Sequence, residues 1–82
     1  MKFTYKYQEA INYSDIGIKL AININSLYLL GELYFEKGSN ILKIKSQEEG
    51  LNYIKKALFI FEMTEKNENV EIIKKHYLQN NI

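Results

Sequence analysis

The sequence predicts an all-α fold of four helices paired as antiparallel helical hairpins, a short α-solenoid. Three observations carry this reading. The 82 residues contain no proline and only four glycines, so little in the chain stops a helix once it has begun. Apolar residues recur at helical spacing in several segments, clearest at Leu51, Ile54, Leu58 and Phe61. A block of sequence also returns forty positions later, as stacked helical units require.

The first helix is predicted over about residues 4–22, with Ile11, Ile18 and Ile22 on one side and Ala10, Gly17 and Ala21 on another. The second starts at Asn25 or Ser26, either of which can cap, and carries Leu27, Leu30, Gly31 and Tyr34. Its predicted end is Lys37-Gly38, a cation followed by a glycine just past the last turn. Gly38 to Lys45 then reads as a connection, though Ile41, Leu42 and Ile44 are apolar for a loop. Either they cover the end of the hairpin core, or they form an apolar contact point flanked by lysines.

Ser46-Gln47-Glu48-Glu49 is a Ser-x-x-Glu capping box and opens a third helix, predicted over about 46–65. Val70, Ile73 and Tyr77 place the fourth at about 68–79. Glu68 and Glu71 suit its amino end, and Lys74, Lys75 and His76 its later turns.

Self-comparison aligns Glu9-Ala10-Ile11-Asn12-Tyr13 with Glu49-Gly50-Leu51-Asn52-Tyr53, and Gly17 with Ala57. Leu27, Leu30, Gly31 and Tyr34 pair with Val70, Ile73, Lys74 and Tyr77, three residues further on. The helices therefore alternate as B, A, B, A. The small residues Ala10, Gly17, Gly50 and Ala57 mark where neighbouring helices approach closely.

Leu30-Gly31-Glu32-Leu33-Tyr34, followed by Gly50 and Ala57-Leu58, resembles the tetratricopeptide repeat family. The run Gly50 to Ala57 is also similar to the related Sel-like repeats. The resemblance implies one complete repeat over 26–62 between two half repeats. It departs from the pattern in having Leu27 where an aromatic often opens helix A, no closing proline, and a stretched connection at Gly38. It implies a tetratricopeptide-like domain over residues 1–82 that binds ligands along the groove lined by its A helices.

Composition narrows the function. The chain is 46% hydrophobic and 26% charged, which is the balance of a folded globule. Net charge is +1, with acids and bases spread evenly, and all 11 basic residues are lysine. Nucleic-acid binding needs a basic face and favours guanidinium forks, so no nucleic-acid partner is expected. Cysteine is absent, which excludes disulfides and thiolate chemistry. No apolar run resembles a signal peptide or spans a bilayer, so the expectation is a cytoplasmic protein with no membrane partner.

No constellation suggests an enzyme. His76 is the only histidine, with no second one a helical turn away to share a metal. Glu48, Glu49, Glu62, Glu65, Glu68 and Glu71 read as a solvated face with partners such as Glu71 and Lys75. Neither a cofactor nor a metal is expected.

The resulting expectation is a non-enzymatic interaction module whose A-helix groove presents Tyr28, Glu32, Phe35, Glu36, Glu71 and Lys75 to a peptide or protein surface. The alternative is a small stand-alone regulator or inhibitor, encoded by a mobile element, that blocks a larger protein or enzyme. It is permitted by the short chain and its start at Met1. In either case the two end helices lack a covering neighbour, with Tyr5, Tyr7, Ile72 and Leu78 at the open ends. A homodimer or the target protein is expected to cover them.

Overall fold

The computed structural model describes residues 2–44 and 46–78, with side chains from residue 5 onward. Four α-helices and no strand occur among the described residues: α1 (Lys2–Asn23), α2 (Leu27–Ile44), α3 (Gln47–Met63) and α4 (Asn67–Ile73). A five-residue π-helical turn, Lys74–Leu78, continues α4. The predicted end of the fourth helix at residue 79, and Lys45 of the predicted connection, lie outside the described residues.

Successive helices pack side by side, α2 against both α1 and α3, and α4 against α3. The result is a slab of 38 × 37 × 17 Å. Its main core joins Ile54, Ala57 and Phe61 of α3 to Val70 and Ile73 of α4, with Tyr34, Phe35 and Leu42 of α2 packed against them. Between α1 and α2 the buried side chains include Ile11, Ala21 and Ile41.

Two helix-to-helix turns are built identically. Asn25 and Glu65 each adopt the left-handed conformation, with φ of 58° and 61°. The Ser26 N–H donates to the Ala21 carbonyl at 3.0 Å and the Asn25 N–H to Ile22 at 3.1 Å. Forty residues later Lys66 donates to Phe61 at 2.8 Å and Glu65 to Glu62 at 3.3 Å. These are the two bonds of a Schellman motif, which satisfies the last carbonyls of a helix. Ser26 then caps α2, accepting from the Leu29 N–H at 3.2 Å.

The turns set the register of the repeat. The turns and the starts of α2 and α4 are offset by forty residues, and packing up to Ile73 agrees. A side chain at Gly17 would lie 3.0 Å from Leu33, as the equivalent Ala57 shares a cluster with Ile73. The extra three residues expected for the A helices are therefore not present. Three residues advance a helix by about 300°, so the misaligned pattern matched nearly the same face.

The predicted end of the second helix is also corrected. Helix α2 runs through Gly38 to Ile44, and no glycine has positive φ among the described residues. Gly38 is instead the point where α2 crosses α3. A Cβ there would stand 2.8 Å from the Gly50 carbonyl oxygen, and one at Gly50 would stand 2.6 Å from Leu42. Ile41 and Leu42 are the buried and half-buried continuation of the helix rather than a loop. Lys37 forms an ion pair with Asp15 of α1 at 2.5 Å and lies over the Tyr53 ring at 4.4 Å. Burial disfavours its charge, but hydrogen bonds to Asp15 and Tyr53 outweigh this and raise its pKa.

Ser46 caps α3 as predicted, accepting from the Glu49 N–H at 3.2 Å. No described helix is long and apolar enough to cross a membrane.

Candidate functional site

The A helices, α2 and α4, line one face of the slab. A concavity of about 610 Å³ opens there. Its wall on α2 is Leu29, Glu32, Glu36, Asn40 and Lys43, one stripe at helical spacing. Phe35 and Phe61 form the floor, and Asn69 of α4 faces α2 across it. A smaller recess between Phe35, Phe61, Asn69, Ile72 and Ile73 extends it toward α4.

Local packing fixes this floor. Phe35 meets Tyr77 edge to face, with ring centroids 5.5 Å apart. Ser39 donates to the Phe35 carbonyl at 2.9 Å, and its hydroxyl lies 3.3 Å from the Tyr77 hydroxyl. The π-helical turn thus brings Tyr77 over the carboxyl half of α2. Asn40 donates to the Glu36 carbonyl at 2.9 Å.

Charge divides the groove. Glu32 and Glu36 lie toward the amino end of α2, and Lys43 toward its carboxyl end, over the Tyr7 ring at 5.4 Å. Seven residues from Glu36 to Lys43 span about 10 Å of helix. The Tyr28 hydroxyl donates to Glu32 at 2.6 Å, and that bond with the Glu32 charge raises the tyrosine's pKa. The Tyr28 ring lies 6.5 Å from Phe61, with the Lys66 ammonium 4.7 Å from its centroid.

Of the six residues named from the sequence, Glu32, Phe35 and Glu36 line the groove, and Tyr28 is bonded to its rim. Glu71 and Lys75 lie on the neighbouring strip of α4, beside Glu68 and Ile72. Sequence reasoning missed Asn69 and Ile72 because the shifted register assigned Lys75 to the position opposite Glu32. At the observed offset of forty that position is Ile72, and Asn69 matches Leu29. The Schellman turns are the signal that corrects the register, and neither contains the glycine that would mark one in a sequence.

Among the described residues no group of three or more His, Cys, Asp or Glu is placed to hold a metal ion. The groove combines an aromatic floor with polar walls and separated charges.

Fold and groove together define an antiparallel helical-hairpin array with a concave face along its A helices. The model of the RNPP family C-terminal domain matches residues 2–79, and the chain belongs to this family. The family's model describes a helical domain found in tetratricopeptide-containing regulators. Domains of this family are regulatory and bind peptides or proteins. No curated protein and no solved structure gives a significant match to the chain.

Proposed function

We propose that this chain is a non-enzymatic, peptide-binding regulatory domain whose ligand lies in the groove between α2 and α4. The observation that carries this reading is the groove over Phe35 and the buried Phe61, walled by the polar stripe of α2 with Asn69 of α4 opposite. Membership of a family of peptide-binding regulatory domains supports the class of ligand. Glu32 and Glu36 receive the ligand's amino terminus or a basic side chain, and Lys43 an acidic group or the carboxylate. At about 3.3 Å per extended residue, the charged span accommodates about three residues between those contacts. Tyr28 closes one end of the groove. Glu71 and Lys75 contact a partner that extends over α4. Residues 1–82 act as one helical-repeat unit, tetratricopeptide-like in its hairpins.

Selection from a random octapeptide library, followed by calorimetry on the winning peptide, tests this reading. Glu36→Lys reverses one groove charge on an exposed position and is expected to weaken binding at least tenfold. Equal affinity in the variant, or no enrichment at all, would remove the groove from the account.

The alternative, a regulator that acts on a larger protein, is favoured by a separate observation: the apolar outer strip of α1.

A further inference from the structure

The recess in the groove floor has the size and lining of a side-chain pocket. It is lined by Phe35, Phe61, Asn69, Ile72 and Ile73, has a volume of about 60 Å³, and shares Phe35, Phe61 and Asn69 with the groove. Phe61 and Ile73 are buried, Phe35 and Asn69 are half-buried, and Ile72 is 49% exposed. All but Asn69 are hydrocarbon, so a charged group placed there would lose its water with little to replace it. A void of about 10–15 Å³ on this measure admits one water-sized group, so the recess admits about four or five. That is the size of an isopropyl or isobutyl group, and smaller than a benzyl group.

Two carboxylates stand beside it. Glu36 follows Phe35 directly on α2, and Glu32 lies one turn before Glu36 on the groove wall. Both are exposed, and neither belongs to the ion pairs of the described residues, which are Lys37–Asp15 and Lys74–Glu62. Glu32 accepts from the Tyr28 hydroxyl through one oxygen, Oε2. A ligand whose side chain fills the recess therefore satisfies these carboxylates best with a cation close to that side chain's own Cα. A lysine carries its charge at the end of a flexible stem. A free α-ammonium group sits on the same Cα as the first side chain.

We infer that the recess is a specificity pocket for the first residue of a peptide in the groove, a branched aliphatic residue whose free α-ammonium group lies at Glu32 and Glu36. This rests on the proposed peptide groove and decides between its two cationic groups, the amino terminus and a basic side chain. Ile72 sets the size of the pocket, because it is the one exposed wall, whereas Phe61 and Ile73 belong to the core.

The probes are pentapeptides X-Ser-Gly-Ser-Gly with both ends free, which place about three residues between the ammonium group at Glu36 and the carboxylate at Lys43. They are titrated into the isotope-labelled chain and followed by amide chemical shifts. With X as valine, isoleucine or leucine, saturable shifts are expected at Asn69 and Ile72, at least tenfold tighter than with X as glycine or phenylalanine. Acetylating the amino terminus of the leucine peptide is expected to weaken it at least tenfold. Ile72→Ala enlarges the pocket at an exposed position and is expected to reverse the order of leucine and phenylalanine, with circular dichroism showing the variant folded. A library-selected octapeptide serves as the control for the groove itself. If it binds and Glu36→Lys weakens it, equal affinity for glycine and leucine peptides, indifference to acetylation, an order unmoved by Ile72→Ala, or no pentapeptide binding overturns the pocket and leaves the groove standing. If neither the octapeptide nor any pentapeptide binds in a way that Glu36→Lys weakens, pocket and groove fall together.

Discussion

Gly38 and Gly50 let the α2 and α3 backbones meet, and hydrogen in place of a methyl group is what the contact requires. A methyl at Gly38 would press on the Gly50 carbonyl oxygen and on the Ile54 N–H, both backbone and neither free to rotate away. Gly38→Ala is therefore expected to destabilise by about 1–3 kcal/mol, read from urea unfolding. Gly17 is a contrast within the same chain, because its methyl would meet only the tip of Leu33. There the gain in helix propensity, about 1 kcal/mol, offsets the contact, and Gly17→Ala is expected to cost far less than Gly38→Ala. Equal losses at both sites would mean that backbone contact does not distinguish them. Glu65 poses the reverse problem, a side chain where glycine belongs. Its left-handed backbone costs roughly 1 kcal/mol relative to glycine, so Glu65→Gly is expected to raise stability by about that amount. An unfolding midpoint that falls instead would show that the Glu65 side chain contributes more than its backbone strain costs.

The helices themselves follow from local signals of unequal clarity. Ser46 begins α3 through a hydrogen bond that its sequence position announces, and Ser46→Ala is expected to cost about 0.5–2 kcal/mol in thermal or denaturant unfolding. No change on that substitution would mean that packing alone sets the start of α3. The apolar stripe of α3 was largely legible: of Leu51, Ile54, Leu58 and Phe61, Ile54 and Phe61 are buried together with Ala57 beside them, while Leu51 and Leu58 are half-buried. The end of α2 was not. A glycine after a lysine has the composition of a helix terminus, and sequence does not distinguish it from a glycine kept small by a facing backbone. The left-handed turns escaped notice for the complementary reason, since Asn25 and Glu65 occupy positions where glycine is the usual marker. With those turns unread, the A-helix repeat slipped by three residues. That slip named Glu71 and Lys75 in place of Asn69 and Ile72 on the groove side of α4, while Glu32, Phe35 and Glu36 of α2 needed no register and lie where the spacing put them.

At the scale of the molecule, three surfaces have different chemistry because the repeat treats them differently. The concave face collects polar side chains over Phe35 and Phe61. The α4 side exposes Glu71, Ile72 and Lys74, and the outer strip of α1 exposes Tyr13, Ile16 and Leu20. The proposed function rests on the first of these surfaces. The measurement that tests it most directly is amide chemical-shift mapping of the isotope-labelled chain with a library-selected octapeptide. The account predicts that saturable shifts cluster on residues 29–43 of α2 and on 69–76 of α4 and its π-helical turn, and that the outer strip of α1 stays silent. Shifts confined to Tyr13, Ile16 and Leu20, or spread evenly over the chain, would contradict it.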